Sequence, residues 1–227
     1  MVSKDGKIRL SPSALNVFLE CPKCFWLDQK ENIHRPRGIF PSLPGGMDLV
    51  IKDYFDKYRE VGKMPPEVDG KIDAELFADI ELLNKWRNWR TGLTWSDPES
   101  GATLSGALDD LGINSKKLFI PLDYKTRGFP PKEGGESFYQ NQLNCYGLLL
   151  RENNMKPDNY AYLIYYFPSV VSENGMVKFE VVPKRVTIDP NEAVRVLREA
   201  VEVIKGPMPK THGECEYCGW GREFLRD

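Results

Sequence analysis

The chain has 227 residues, 41% of them hydrophobic and 28% charged, with a formal net charge of −2. That length fits one domain, residues 1–227, with enough chain for a substantial core and an ordinary globular composition. No run reaches the roughly 18–20 apolar residues of a membrane span, which argues against a membrane partner. The charge does not advertise a nucleic-acid binder and does not exclude one, because acids clustered at a metal site offset basic residues elsewhere. The basic stretches are Lys23, Lys30, His34, Arg35 and Arg37, then Lys125, Arg127 and Lys132. A solvated mixed-charge surface is the competing reading for each. Residues Met1 to Lys7 lack the apolar stretch of a secretory signal, so a cytoplasmic protein is expected.

Ser11-Pro12-Ser13 is a helix start, with Ala14, Leu15, Phe18 and Leu19 at helical spacing after it. Residues 32–46, rich in proline, glycine and arginine, read as a loop. Met47 to Arg59 and Asp73 to about Arg90 read as amphipathic helices, which makes 11–95 a helical N-terminal part. Ala102 to Leu111 and Lys117 to Lys125 read as strands of a hairpin turning near Gly112 to Ser115. A helix over Ser137 to Arg151, strands over Asn159 to Phe167 and Met176 to Ile188, and a helix from Asp189-Pro190 to Lys205 follow. The order implies a mixed α/β (α+β) core over 102–205, a central sheet flanked by helices, with a C-terminal cysteine knuckle.

The chemistry concentrates in Asp109, Asp123 and Lys125. Residues i and i+2 of a strand share a face, so Asp123 and Lys125 share a side of the sheet. Two acids that hold a divalent cation, beside an ammonium that orients water or neutralises charge, are what metal-assisted phosphodiester hydrolysis needs. A surface decoration of charge is the competing reading. Against it, Asp123 follows the apolar run Leu118 to Leu122, and Asp109 follows Leu104 to Leu108. On the next helix Gln142 and Tyr146 stand four apart on one face, able to reach a phosphate or support the lysine. Pro121 cannot donate to a ladder and argues for an edge strand or a bulge.

Cys21-Pro22-Lys23-Cys24 and Cys215-Glu216-Tyr217-Cys218 are two CxxC units, residues 21–24 and 213–221 forming a metal clasp. Four thiolates suit Zn²⁺ or an iron–sulfur cluster. Cys145 reads as a core residue, and His34 and His212 have no ligand spacing. Phe25, Trp26, Trp86, Trp89, Trp95 and Trp220 can stack on unpaired bases or fill the core.

The ordered set Gly106-x-x-Asp109, Asp123-Tyr124-Lys125 and Gln142-x-x-x-Tyr146 resembles the PD-(D/E)xK nuclease superfamily, in particular its RecB-type branch. With the terminal cysteines it is similar to the CRISPR-adaptation exonuclease family and the AddB-type helicase-nuclease subunit. The resemblance implies a restriction-endonuclease-like fold and a DNA exonuclease acting on single strands with Mg²⁺ or Mn²⁺. It makes Asp109, Asp123 and the Tyr124 carbonyl metal ligands. Lys125 becomes the water-positioning group, and Gln142 and Tyr146 shape the site. It also implies an iron–sulfur cluster on Cys21, Cys24, Cys215 and Cys218, with zinc as the alternative. Protein partners from a CRISPR, phage or repair pathway would follow. The chain departs in two respects. The branch's upstream helix carries a histidine ligand, for which Asp48 is the substitute and Asp53 a weaker one. The branch's third C-terminal cysteine falls at Phe224, while Cys24 is extra. A non-catalytic nucleic-acid-binding or assembly subunit is the alternative reading.

Overall fold

The computed structural model describes residues 7–36, 38, 42–211 and 213–224. Arg37, His212 and the side chains of Trp220 and Phe224, singled out above, lie outside what is described. In chain order the elements are β1 (Arg9–Leu10), α1 (Pro12–Glu20), α2 (Pro22–Lys30), α3 (Ser42–Glu60), β2 (Glu75–Leu76) and α4 (Ile80–Arg87). Next come β3 (Leu93–Ser96), β4 (Thr103–Gly106), β5 (Asp110–Ile113), β6 (Phe119–Thr126) and α5 (Gln140–Glu152), the last preceded by a 3₁₀ turn over Gly135–Tyr139. The chain continues through β7 (Tyr160–Val171), β8 (Val177–Thr187), α6 (Pro190–Lys205) and α7 (Glu216–Phe224). Local chemistry accounts for several starts. Ser11 accepts the Ala14 N–H at 3.2 Å ahead of Pro12, Asp79 caps α4 through the Leu82 N–H, and Asp189 caps α6 through the Asn191 N–H.

A five-stranded mixed sheet runs in the order β2-β5-β6-β7-β8, with β6 and β7 parallel and its other neighbours antiparallel. The parallel pair needs a crossover, which α5 supplies. A second, three-stranded sheet has the order β1-β4-β3. The strand period of two divides the core in half. Tyr160, Tyr162, Ile164 and Tyr166 of β7 join Ile120, Leu122 and Tyr124 of β6 under Ile51 and Phe55 of α3. Ala161, Leu163 and Tyr165 face the other way, onto Leu143, Leu148, Val196 and Leu197 of α5 and α6. Helices therefore flank the sheet on both faces, as the mixed α/β reading requires. Among the described residues no helix is long and apolar enough to cross a membrane.

Four expectations need correction. The strand over Ala102 to Leu111 is two strands in different sheets, β4 and β5, joined by Ala107, Leu108 and Asp109. Buried Leu108, its N–H given to the Trp86 carbonyl, anchors the crossing. The helix over Asp73 to Arg90 is β2 followed by α4, because Glu75 and Leu76 complete the edge of β5 and Asp79 starts the helix late. Helix α3 begins at Ser42, inside the expected loop; Pro44 sits in its first turn, where a missing N–H costs nothing. Pro121 lies in an interior strand. Opposite it, Leu111 turns both backbone groups away, its C=O to Phe77 N–H and its N–H to the Asp110 carboxylate. The ladder to β7 starts only at the Leu122–Tyr162 pair, so no donor is missed.

Candidate active site and metal centre

The sidedness of β6 decides which groups meet. Tyr124 points under α3, so Asp123 and Lys125 point to the α5 face. The β5–β6 register pairs Asp110 with Leu122, and one step beyond that pair Asp109 falls opposite Asp123. The Tyr124 N–H donates to Asp109 Oδ2 at 3.3 Å, tying the two strands together where the acids converge. From α5, Gln142 Nε2 donates to Asp123 Oδ1 at 3.1 Å and to the Tyr146 hydroxyl oxygen at 2.6 Å. Its carbonyl end lies 3.5 Å from Lys125 Nζ. All five residues read from the sequence as Asp109, Asp123, Lys125, Gln142 and Tyr146 are thus brought together.

Asp123 is fully buried. Lys125 Nζ stands 2.5 Å from its Oδ2, yet no donor is aligned on that oxygen for a hydrogen bond. Burial, then the Asp109 charge, pushes the Asp123 carboxyl up to about 7, with Lys125 pulling the other way. Lys125 itself is held above the usual lysine range: burial lowers it, but the Asp123 charge more than offsets that. A buried carboxylate oxygen without an aligned donor, beside a second carboxylate, is a hard oxygen donor set that suits Mg²⁺ or Mn²⁺.

Helix α3 adds a residue that the sequence reading missed. Lys52 Nζ lies 2.7 Å from Asp48 Oδ2 and 2.9 Å from Asp109 Oδ1, so it bridges the helix to the acid site. Asp48 therefore reaches the site through Lys52, while Asp53 is exposed on another face of the helix. The available signal was the Asp48–Lys52 spacing of four on a helix whose buried residues are Ile51, Phe55 and Arg59.

Behind the acids lies a sealed ionic network, also missed. Asp110, fully buried, accepts from Arg59 Nη2 at 2.7 and 2.8 Å, from Arg87 Nη2 at 3.0 Å, from the Tyr124 hydroxyl at 2.6 Å and from the Leu111 N–H at 2.7 Å. Asp56 holds Arg87 from 2.6 and 3.0 Å. Arg87 Nε in turn donates to the Asp109 carbonyl at 2.9 Å. Asp110 thus anchors the strand start that aims Asp109.

The four cysteines converge in a separate cluster. Cys21 precedes α2 and Cys24 sits one turn in; Cys215 and Cys218 repeat the arrangement on α7. Sulfur separations are 3.7 Å for Cys21–Cys218, 3.6 Å for Cys24–Cys215 and 3.7 Å for Cys24–Cys218, and all four lie within 4.8 Å of one another. An ion about 2.3 Å from each of four tetrahedral sulfurs would set them about 3.8 Å apart. Among the described residues they are the one set of three or more His, Cys, Asp or Glu donors this close together. Burial pushes the Cys21 thiol up, but the Cys24 N–H and the neighbouring sulfurs outweigh it and leave it lowered to about 6. Arg35 closes the outer side, its Nη2 4.0 Å from Cys215 Sγ and its guanidinium 4.6 Å over the Tyr217 ring. Cys145 is buried on α5, its thiol pushed up to about 12 by burial.

The aromatic residues divide. Phe25 and Trp86 are core, Trp26 is pinned by its Nε1 to the Gly206 carbonyl at 3.2 Å, and Trp95 packs partly buried against the core. Trp89 is 73% exposed. No curated protein matches the chain. A family model of the PD-(D/E)XK nuclease superfamily matches residues 41–222, which takes in the acid site, its lysines and the C-terminal cysteine pair. Members of that superfamily are nucleases that use divalent metals, and this chain belongs to it.

Proposed function

We propose that the chain is a divalent-metal-dependent deoxyribonuclease of the RecB-type branch, degrading single-stranded DNA from an end. The observation that carries the catalytic reading is the convergence of the buried Asp123 carboxylate, the Asp109 carboxylate and the Lys125 ammonium at one point between β5, β6 and α5. Asp109, Asp123 and the Tyr124 carbonyl would hold Mg²⁺ or Mn²⁺. That ion supplies Lewis-acid polarisation of a phosphate oxygen and a more acidic bound water. Lys125 positions the attacking water and offsets charge building on the phosphorus oxygens. Gln142 fixes the orientation of Asp123 and the reach of Lys125 through its two amide contacts, and Tyr146 braces Gln142.

The preference for single strands is supported by a cavity of about 370 Å³ whose walls include Gln142, Tyr146, Ser105 and Trp89. An exposed indole beside the proposed chemistry offers a face to an unpaired base, with the Arg90 guanidinium 4.9 Å from its ring centroid. Action from an end follows the family resemblance. For the four cysteines we propose a single zinc ion, because sulfurs held by separate irons of a cluster stand farther apart than 3.6–3.7 Å. Its role is to staple residues 21–24 to 213–221 around the 102–205 core. Five free cysteines suit a reducing cytoplasm.

The test is cleavage of end-labelled linear single-stranded, circular single-stranded, duplex and flapped DNA with Mn²⁺. Linear single strands should be degraded and circles spared. Asp123→Ala and Lys125→Ala should lose activity by about 10²-fold or more while keeping the far-UV spectrum. Degradation that persists in chelator or in these variants rejects the catalytic reading; DNA binding without cleavage would favour the assembly-subunit alternative.

A further inference from the structure

We propose that the Lys52 ammonium stands in for a second metal ion, so that the acid site takes one divalent cation rather than two. The inference rests on the nuclease reading of the acid site. Lys52 Nζ bridges carboxylates from two separate elements, Asp48 of α3 and Asp109 ahead of β5, at 2.7 and 2.9 Å. That is the bridging position a second cation would occupy. The lysine side chain is 16% exposed, against 23% for Asp109 and 34% for Asp48. Buried Ile51 and Phe55 on either side of it pin the helix to the sheet and fix where the Lys52 side chain starts.

Charge favours the same count. Three carboxylates, Asp48, Asp109 and Asp123, face two ammoniums, Lys52 and Lys125, and leave one negative charge. One divalent ion turns that into one positive charge, which a phosphodiester monoanion neutralises. A second ion beside Lys52 would leave two positive charges uncompensated in a partly buried site, where repulsion between cations about 4 Å apart is poorly screened. Lys52 is therefore a positioning residue. It holds Asp109 Oδ1, leaves the remaining lone pairs of Asp109 and Asp123 for the ion, and keeps Asp48 from recruiting another. Removing the ammonium frees Asp48 and Asp109 Oδ1 as oxygen ligands on the α3 side.

The experiment is calorimetric titration of the full chain with Mn²⁺, without nucleic acid and with the cysteine site as purified, alongside electron paramagnetic resonance of the loaded protein. Wild type and Lys52→Arg should bind one Mn²⁺ per chain at the acid site and show an isolated-ion spectrum. Lys52→Met should bind two, with the spectrum of a coupled pair. Two ions in the wild type overturn the inference, as does a single ion in Lys52→Met, whatever its affinity. A Lys52→Met chain that does not fold leaves Lys52→Arg and wild-type stoichiometry to decide. If neither wild type nor variant binds Mn²⁺ outside the cysteines, the nuclease reading of the acid site fails and this inference with it. One ion in both sinks the inference alone.

Discussion

Replacing Arg59 by methionine keeps much of the side-chain volume and removes the guanidinium that closes on Asp110 from 2.7 and 2.8 Å. The two side chains are 2% and 0% exposed, so water cannot substitute for the lost donor. Breaking a buried pair by removing one partner costs about 3–5 kcal/mol. Arg87, the Tyr124 hydroxyl and the Leu111 N–H still hold the carboxylate, which places the loss near the lower end, about 3 kcal/mol. For a chain of this size that is a fall of roughly 6–12 °C in Tm. Urea unfolding followed by tryptophan fluorescence and circular dichroism should show a lower midpoint with an unchanged slope. Adding Asp110→Asn removes the buried charge while keeping an acceptor, and should recover about half of the loss. Because Arg87 also carries the Asp109 carbonyl, the single variant should bind Mn²⁺ more weakly. A cost below about 1 kcal/mol, or a double variant worse by the sum of its parts, would refute the claim that this network holds the strand start under the acids.

Asp97 accepts from Arg198 Nε and Nη2 at 3.0 and 2.9 Å and from the Ser100 N–H at 3.0 Å. Burial pushes its carboxyl up, but Arg198 and Ser100 outweigh that and leave it lowered to about 2. Its contribution to stability is therefore present above pH 4 and is lost as pH falls toward 2. Asp97→Asn should cost about 1–2 kcal/mol at pH 7, and acid unfolding curves of variant and wild type should converge near pH 2. Gly92→Ala should destabilise by about 2 kcal/mol or more in thermal melts, because a Cβ there would meet the Gly106 backbone oxygen at 2.4 Å, where nothing flexible can give way. Cys218→Ser should abolish metal retention at the cysteine site and lower Tm, and elemental analysis should find one zinc per wild-type chain. A brown wild-type protein with about four irons would overturn the zinc proposal.

Much of this protein was legible from residue types and spacing alone. Helical spacing placed α1, the Asp189-Pro190 start placed α6, and the i, i+2 rule along β6 put Asp123 and Lys125 on one face. The two CxxC units announced a cluster of four thiols able to hold a metal ion, because such spacing has few uses in a chain without disulfides. What sequence could not determine was which sheet a strand joins and what lies behind it. Between Leu104 and Leu108 only the Ser105-Gly106 pair hints at a break, and it does not say which sheet each strand joins; the crossing from β4 to β5 is set by Leu108 docking on Trp86 and by the close approach of β4 to α5. Pro121 looked misplaced until the register showed that no partner needed its N–H. Nothing in the sequence singled out Lys52, Arg59, Arg87 and Asp110 as an ionic network, because burial of an ion pair is a property of the packing around it. Short-range physics writes helices, strands and ligand spacing into the chain. Where the charges end up depends on contacts between segments more than fifty residues apart, such as Lys52 with Asp109, and those exist only once the tertiary structure has formed.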